Sequence, residues 1–164
     1  MPRLIIIADI HGYYPAWQAI TSILKPEDTL AVAGDFFDTR YGDPSDTIYQ
    51  PELIRYEFEH LSLKKHYVYG NCDEPEFYPG YAYEERFTFE GKKIVLSHGH
   101  FCSDPGEETS EIRIAGHTHK ALVQDRLGTI FINPGSIPLP KNGFRGYALI
   151  EDQKISLVSL SYSF

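Results

Sequence analysis

The chain has 164 residues, enough for one compact domain over residues 1–164 but not for a catalytic domain with a second folded domain beside it. Hydrophobic residues make up 42% and charged residues 23%, a composition typical of a soluble folded protein. The formal net charge of -8 disfavours attraction to nucleic acid or anionic lipid, so we expect neither a nucleic acid polymer nor a membrane as partner. We expect instead a small anionic ligand at a locally positive site.

Neither export nor membrane insertion is indicated by the sequence. The apolar run Leu4 to Ala8 is too short for the hydrophobic region of a signal peptide followed by a cleavage site. No stretch approaches the roughly 18 apolar residues that a spanning helix needs. The two cysteines, Cys72 and Cys102, do not make a disulfide framework. We therefore expect a cytoplasmic protein.

Strands and helices alternate in the first half of the chain. Residues 3–8 form a short β-branched apolar run that is typical of a buried strand. Helices are predicted over residues 15–24 and 51–63, each with a proline at its start. Further buried strands are predicted over residues 29–33 and 66–69. This alternation predicts parallel strands joined by right-handed crossovers.

The second half of the chain has almost no helical periodicity. Residues 83–89 and 92–97 are predicted to form a hairpin around Glu90-Gly91. Further strands are predicted over residues 111–115, 120–125, 129–132, 146–150 and 154–161. A mixed sheet followed by a mostly antiparallel one predicts two sheets packed face to face, with the helices outside.

Polar side chains follow three predicted strands of the first half, at the point where each strand ends. These residues are Asp9, Asp35 and Asn71. Ligands of α/β sheets bind outside the carboxyl ends of the strands. Three separate stretches are therefore expected to deliver metal-type ligands to one edge of one sheet.

The first of these motifs is Asp9-Ile10-His11-Gly12. Residues i and i+2 of an extended segment point the same way, so this carboxylate and this imidazole can meet one cation. The same pair also arises by chance, and the motif alone does not establish a metal site.

The second and third motifs are Gly34-Asp35 and Gly70-Asn71-Cys72-Asp73. The two oxygens of a carboxylate can bridge two cations, and a neighbouring glycine lets other backbone approach closely. An amide oxygen can ligate a metal while its NH₂ group reaches a phosphoryl oxygen. The alternatives are an aspartate that caps a loop and a simple Gly-Asn turn.

Histidines are concentrated in the remaining motifs. His98-Gly99-His100 and Gly116-His117-Thr118-His119 each follow a predicted strand. An isolated histidine is more often a packed or surface residue than a ligand, and His60 and His66 are assigned no role. Five of the seven histidines, however, lie in three short strand-end motifs: His11, His98, His100, His117 and His119.

The whole set combines two aspartates, one asparagine and at least four histidines. Mixed oxygen and nitrogen ligands suit Mn, Fe, Zn, Co or Ni better than Ca or Mg alone. Seven ligands are too many for one tetrahedral site. They suit two five- or six-coordinate ions that share Asp35.

This series of motifs resembles the calcineurin-like metallophosphoesterase superfamily. The resemblance implies an α/β fold, a four-layer αββα sandwich of two mixed β-sheets flanked by helices, with metals at the strand ends. The motifs that carry it, in the family's order, are Asp9-x-His11, Gly34-Asp35, Gly70-Asn71, His98-Gly99-His100 and Gly116-His117-x-His119; Cys72 and Asn133-Pro134-Gly135-Ser136 further resemble the small YfcE-like phosphodiesterases.

The resemblance also implies a cofactor, a ligand set and a mechanism. Two divalent ions, with Mn favoured and Ni, Co, Fe or Zn as alternatives, would share Asp35 and a bridging hydroxide that attacks phosphorus in line. Asn71 would then help to stabilise charge on the phosphoryl oxygens. The implied ligands are Asp9, His11, Asp35 and His119 for one ion, and Asp35, Asn71, His98 and His117 for the other.

Two departures from the family's pattern bear on catalysis. Many relatives have a histidine, thought to assist the leaving group, where this chain has Cys72; a thiol with a pKa near about 8.5 is a weaker donor. His100 or a metal-bound water can substitute, and Asp73 can orient a neighbouring group or form a plain turn. The span between His98 and His117 is short, and residues 101–110 carry little helical pattern where relatives place a helix. We expect substrates with good leaving groups, diesters among them, and an open site or one covered by a partner subunit of a homo-oligomer.

Three functions remain open for such a fold. The first is a phosphodiesterase or phosphatase acting on small phosphoesters, and the complete ligand set favours it. The second is a non-catalytic interaction subunit like the small subunit of retromer. The third is a nuclease of the SbcD type, against which the chain length and acidic charge weigh. Asp38, in the loop after Asp35, can orient a metal ligand or belong to a solvated loop.

Overall fold

Two five-stranded β-sheets packed face to face form the body of the protein. The computed structural model describes residues 1–100 and 110–161. None of the described helices is long and apolar enough to cross a membrane. In chain order the elements are β1 (Leu4–Ile7), α1 (Tyr14–Thr21), β2 (Thr29–Ala33), α2 (Pro51–His60), β3 (Lys64–Val68), β4 (Glu84–Phe89), β5 (Lys92–Ser97), β6 (Ile112–Ile114), β7 (Leu122–Arg126), β8 (Thr129–Asn133), β9 (Gly146–Glu151) and β10 (Lys154–Ser159).

The first sheet has the strand order β10-β9-β1-β2-β3. Strands β1, β2 and β3 run parallel and are connected through α1 and α2, which confirms the predicted alternation. Strand β9 pairs antiparallel with β1, so the last two strands complete the first sheet rather than the second. Pairing between such distant segments leaves no local pattern in the sequence.

The second sheet has the strand order β4-β5-β6-β8-β7. The predicted hairpin around Glu90-Gly91 is confirmed as β4 and β5. Strands β5, β6 and β8 run parallel, whereas β7 pairs antiparallel with β8. The expectation of a mostly antiparallel sheet is therefore wrong. The sequence pattern of a short strand is the same whether its neighbouring strands are parallel or antiparallel.

The first sheet is apolar on both faces. Ile5 packs on one side with Trp17 of α1 and Phe58 of α2. Ile6, the next residue of β1, points the other way and packs with Ile114 of the second sheet. Both described helices therefore cover the outer face of the first sheet. The α/β fold with two mixed sheets is confirmed, while residues 101–109, part of a stretch with little predicted helical pattern, lie outside the described residues.

The strand topology brings the carboxyl ends of five strands close together. Strands β1, β2 and β3 are parallel in one sheet, and β5 and β6 are parallel in the other. The backbones pack so closely at this edge that a Cβ atom on Gly116 would lie 2.7 Å from Oδ2 of Asp9. Glycine there is a requirement of the packing between the two sheets.

Candidate metal centre

The loops that follow these five strands all contribute to one cluster of polar side chains. Five of the cluster residues are not glycine and yet have positive φ angles, between 48° and 68°. Such angles are uncommon for residues other than glycine, and strained backbone of this kind concentrates at functional sites. The five residues are Asp9, His11, Asp35, His117 and His119.

One half of the cluster is formed by Asp9, His11 and His119. Nε2 of His119 lies 3.3 Å from Oδ1 of Asp9 and 3.2 Å from Nε2 of His11. Nε2 of His11 is also 3.6 Å from Oδ1 of Asp9. The ligand atoms of these three residues lie within 4.8 Å of one another, so they are able to hold one metal ion.

The other half is formed by Asp35, His98 and His117, whose ligand atoms also lie within 4.8 Å of one another. Nε2 of His98 lies 3.1 Å from Oδ2 of Asp35. Asn71 joins this half, because its Oδ1 is 3.0 Å from Nδ1 of His117. Oδ2 of Asp35 is also 3.8 Å from Nε2 of His11 in the first half. Asp35 therefore lies between the two halves.

The outer nitrogens of three histidines are held by acceptors. Nδ1 of His98 donates to the carbonyl oxygen of Ala33 at 2.7 Å, and Nδ1 of His119 donates to that of Leu139 at 2.9 Å. Nδ1 of His11 donates to the carboxylate of Asp38 at 2.8 Å. In a neutral imidazole the other nitrogen then carries a lone pair. All three Nε2 atoms face the cluster, as in metal-ligating histidines.

Charge in the cluster favours a cation. Burial raises the pKa of Asp35, but the close contact and charge of His98 outweigh it and bring the pKa down to about 2. Burial likewise raises the pKa of Asp9, yet close contacts with His11 and His119 hold it below its usual value. Burial lowers the pKa of His11, but Asp38 and Asp9 outweigh this and raise it to about 12. The carboxylates thus remain negative although they are buried, because protonated histidines lie beside them, and a metal ion bound here would take the place of those protons.

Two buried atoms in the centre of the cluster make no well-formed hydrogen bond among the described residues, although another charged group lies 3.3 Å from the first and 3.1 Å from the second. They are Oδ1 of Asp9 and Nε2 of His98. Buried polar atoms are rarely left in this way, and an ion is one of the usual reasons. Together with two histidine Nε2 atoms facing each other at 3.2 Å, they make the cluster fit divalent metal ions. The mixture of oxygen and nitrogen donors suits transition metals.

The remaining predicted site residues take different positions. Cys72 lies beside the cluster: its backbone N–H donates to Oδ1 of Asp35 at 2.8 Å, and its thiol is within 4.8 Å of ligand atoms of His11 and Asp38. Burial raises the pKa of Cys72 to about 11. The ring of His100 lies 6.3 Å from that of His117 and 5.3 Å from that of His98. His100 therefore flanks the cluster and belongs to none of the potential ligand groups among the described residues.

Asp73 does not reach the reacting side of the cluster. Its carboxylate is 1% exposed and accepts the backbone N–H groups of Gly70 and Phe37 at 3.0 Å, with longer contacts to those of Phe36 and Asp38. Burial raises its pKa. The structure gives Asp73 a role in positioning the loop after Asp35, and nothing in its contacts supports the predicted part in catalysis.

Several contacts that hold the cluster residues in place could not be predicted from the sequence. The carbonyl groups of Ala33 and Leu139 orient histidines, and any residue type could supply them. The hydroxyl of Ser136 donates to the backbone oxygen of Asp9 at 2.7 Å, and Asn133 donates to that of Gly116 at 2.8 Å. The Asn-Pro-Gly-Ser stretch thus supports two ligand loops. His60 and His66 lie elsewhere, bonded to Tyr56 and Glu85.

Comparison with known proteins agrees with this geometry. Residues 3–154 match the family model of the calcineurin-like phosphoesterase superfamily domain. The chain is 24% identical to phosphodiesterase YfcE of Escherichia coli over 98% of this chain and 94% of that protein. It is 26% identical to a probable metallophosphoesterase of Mycoplasma pneumoniae over 87% of this chain and 83% of that protein.

Solved structures with the same fold include a phosphoesterase and several Vps29 proteins. The structure of YfcE from E. coli, described as a phosphoesterase, aligns with a TM-score of 0.80 at 24% identity over 97% of this chain and 93% of that one. The structure of Vps29 with zinc from Entamoeba histolytica aligns with a TM-score of 0.60 at 23% identity over 93% of this chain and 88% of that one. Since the family model spans nearly the whole chain, the protein belongs to the calcineurin-like phosphoesterase superfamily.

Proposed function

We propose that the protein is a metal-dependent phosphodiesterase that hydrolyses a small phosphoester at a centre of two divalent ions. The observation that carries the proposal is the convergence of buried carboxylate and imidazole ligand atoms on both sides of Asp35. Oδ1 of Asp9 and Nε2 of His98 are buried without a well-formed hydrogen bond among the described residues, and each lies within 3.3 Å of another potential ligand atom. Manganese is the first candidate for the ions, and Ni, Co, Fe and Zn are the alternatives.

The distances support a division of the ligands between two ions. The first ion would be held by Asp9, His11, Asp35 and His119. The second would be held by Asp35, Asn71, His98 and His117. Asp35 is the common ligand, because its Oδ2 lies 3.1 Å from Nε2 of His98 and 3.8 Å from Nε2 of His11. Two such ions, when bound, supply an activated water for in-line attack on phosphorus and neutralise charge on the phosphoryl oxygens.

The protein's own residues supply orientation and hydrogen bonding. Among the described residues the NH₂ group of Asn71 has only a long 3.4 Å contact, to the sulfur of Cys72, so it is able to donate to a phosphoryl oxygen. Asp38, Ala33 and Leu139 hold the histidine rings in one tautomer, which keeps each Nε2 available as a ligand. The carboxylate of Asp73 accepts the backbone N–H of Phe36, just after Asp35, and that of Gly70, just before Asn71. It therefore holds the two loops that carry these side chains.

Neither neighbouring candidate is a strong proton donor for the leaving group. The pKa of Cys72, raised to about 11 by burial, keeps the thiol neutral but makes it a weak acid. Burial and the charge of His98 lower the pKa of His100, so its imidazole is neutral near pH 7. We therefore propose that the enzyme favours phosphoesters with good leaving groups, and diesters over monoesters.

A non-catalytic interaction subunit is the second candidate, because several Vps29 structures share the fold. Loss of metal ligands would favour it. Here all seven predicted ligands are retained, and all of them converge at one edge of the sandwich. A complete and oriented donor set favours an enzyme. We expect it to act in the cytoplasm, alone or as a homo-oligomer.

Metal-stripped protein should be assayed on bis(p-nitrophenyl) phosphate and p-nitrophenyl phosphate after addition of Mn, Ni, Co, Zn or Mg. We expect turnover of the diester to require a transition metal and to exceed that of the monoester. Asp35→Asn should lower kcat/KM by roughly a hundred-fold or more because it weakens the ligand between the two ions. Asn71→Ala should have a similar effect, since it removes both a ligand and a phosphoryl donor.

The matched control is Asp43→Asn, which neutralises an aspartate in an exposed loop whose side chain accepts hydrogen bonds only from Ser45 among the described residues. It should retain the activity of the unaltered protein. Absence of turnover with every metal, in protein shown by calorimetry to bind two ions, would reject the phosphodiesterase and favour the interaction subunit. Full activity of Asp35→Asn would reject the assigned centre.

A further inference from the structure

A cavity of about 600 Å³ lies beside the metal centre, within the size range of small-molecule sites. It opens on the outer face of the second sheet, because Arg113, which lines it, points away from the core residues Ile112 and Ile114 on either side. Its rim includes Gly99, between His98 and His100, and Thr118, between His117 and His119. The cavity and the metal centre therefore share the same two loops.

The cavity is positively charged although the chain as a whole carries a net charge of -8. Arg113, Lys120 and Arg126 line it, and none of the described residues that line it is acidic. Arg113 is half-buried in the middle of a central strand. Neither it nor Lys120 forms an ion pair within the part of the chain that the structure describes. Both side chains are therefore available to an anionic ligand in the cavity.

The floor of the cavity is apolar and includes an aromatic ring. Phe131 of β8 is the cross-strand neighbour of Arg113. The guanidinium of Arg126 lies over this ring, 4.8 Å from its centroid. Leu122, which also lines the cavity, is 41% exposed. Cations above an apolar floor fit a ligand that has a charged group attached to a flat or ring-shaped body.

We propose that this cavity binds the non-reacting half of the substrate, and that this half carries a second phosphate on a ring-containing body. The inference rests on the proposed function of the metal centre. A phosphate monoester carries a charge of roughly -1.5 to -2 near neutral pH, which matches three cations better than a single carboxylate does. The shared loops allow one molecule to extend from the metal centre over the rim at Gly99 and Thr118 into the cavity.

The kinetic test compares two diesters that release the same p-nitrophenolate. They are thymidine 5′-(p-nitrophenyl phosphate) and its analogue with an added 3′-phosphate. In the metal-loaded protein we expect the 3′-phosphate to raise kcat/KM about tenfold or more, mainly through KM. Arg113→Met, which keeps the apolar stem but removes the charge, should abolish most of this preference.

The matched control is Arg86→Met. Arg86 lies on the same face of the second sheet, two strands from Arg113 along the pairs with Val95, but it does not line the cavity. The Arg86→Met variant should retain the preference for the substrate with the 3′-phosphate. A loss of preference in both variants would indicate a general effect of surface charge and would overturn the assignment of the cavity.

A binding measurement separates the cavity from catalysis. Metal-stripped protein should be titrated with thymidine 3′,5′-bisphosphate by calorimetry, and we expect saturable binding that weakens about tenfold in Arg113→Met and in Lys120→Met. If Arg113→Met does not fold, the binding measurement on Lys120→Met tests the same inference, because Lys120 is exposed. If the protein hydrolyses diesters but shows neither a preference for the 3′-phosphate nor binding of the bisphosphate, the inference about the cavity is overturned while the proposed function stands. Bisphosphate binding without hydrolysis of any diester overturns both the phosphodiesterase and the substrate role of the cavity.

Discussion

Each histidine of the metal centre depends on the acceptor behind its ring. For His11 that acceptor is the carboxylate of Asp38, 2.8 Å from Nδ1. The carboxylate fixes the tautomer and makes Nε2 a more basic ligand. His98 and His119 have only backbone carbonyls in this position. Of these three histidines, His11 is therefore the one whose orientation a single substitution can test.

Asp38→Asn should weaken binding of the ion held by His11 by about 10- to 100-fold. Asparagine is the informative replacement because Asp38 has a φ of 51°, which asparagine tolerates. Calorimetric titration of metal-stripped protein with Mn measures the change. Asp43→Asn, in the exposed part of the same loop, serves as control. Unchanged affinity of the Asp38 variant would show that the ring of His11 is held by its packing alone.

The proposed ligands of the centre could be selected from sequence because their chemistry is specific to their side chains. Asp9, Asp35 and Asn71 were selected by their positions after predicted strands, and the histidines by their spacing. For Asp73 the sequence left a catalytic, an orienting and a turn role open, since a carboxylate bonded to backbone amides has the same sequence signal as a catalytic one. The carbonyls of Ala33 and Leu139 could not be predicted at all, because every residue has one.

The ends of the strands, rather than their centres, determine how the elements fit together. Gly70 follows β3 and lies against the loop after β2. A Cβ atom at this position would lie 2.7 Å from Cγ of Asp35 and closer still to its Oδ1. No flexible side chain is available to yield, because Asp35 is itself anchored by His98 and by the backbone of Cys72. The loops after the parallel strands β2 and β3 can thus pack closely beside the metal centre because Gly70 has no side chain.

Gly70→Ala should displace Asp35, weaken metal binding at least tenfold and lower the free energy of unfolding by about 1–3 kcal/mol, as overpacking of a close contact does. Metal titration and urea unfolding measure the two effects. The control is Gly80→Ala, where an added Cβ meets nothing within 4 Å although φ is 98°. That variant should lose only about 1 kcal/mol from its backbone strain and bind metal normally. Equal metal affinity in both variants would contradict a steric role for Gly70.

Local patterns predicted most of the elements and the pairing of strands that are neighbours along the first half of the chain and in the hairpin, but not the pairing of distant segments. Helix α2 ends at His60, earlier than the apolar periodicity indicates, because Leu61 adopts an extended conformation. Strands β9 and β10 join the first sheet through pairs such as Leu4 with Ile150. The packing between distant segments decides such contacts, and a sequence window contains only one of the two partners.

At the scale of the whole molecule, the metal centre and the main buried ion pair lie at opposite ends of the first sheet. Arg3 precedes β1 and Asp28 precedes β2, whereas the metal ligands follow these strands. The guanidinium of Arg3 donates twice to the carboxylate of Asp28, at 2.9 Å and 2.6 Å, and once to the backbone oxygen of Ile23. Asp28 is 2% exposed. This pair links the start of the sheet to the loop after α1 and stabilises the fold without contact to the metal centre.

The pH dependence of stability follows from Asp28. Burial raises its pKa, but the hydrogen bond from Arg3 outweighs this and holds the pKa below the usual value of 3.8. A carboxyl group whose pKa is lowered by folding stabilises the folded state fully above its unfolded pKa and loses that contribution as the pH falls through its folded pKa. Asp28→Asn should therefore lower the free energy of unfolding at pH 7 by about 1–3 kcal/mol.

The difference in the free energy of unfolding between the unaltered protein and Asp28→Asn should narrow as the pH falls below about 4, because Asp28 of the unaltered protein then becomes protonated and loses its charge. Urea unfolding of metal-stripped protein at several pH values measures this difference, and calorimetry with Mn at pH 7 should give equal affinities for both. A difference that stays constant down to the acid transition would mean that Asp28 acts through packing rather than charge. A loss of metal affinity in Asp28→Asn would mean that the two ends of the sheet are coupled, so that stability and catalysis cannot be altered independently.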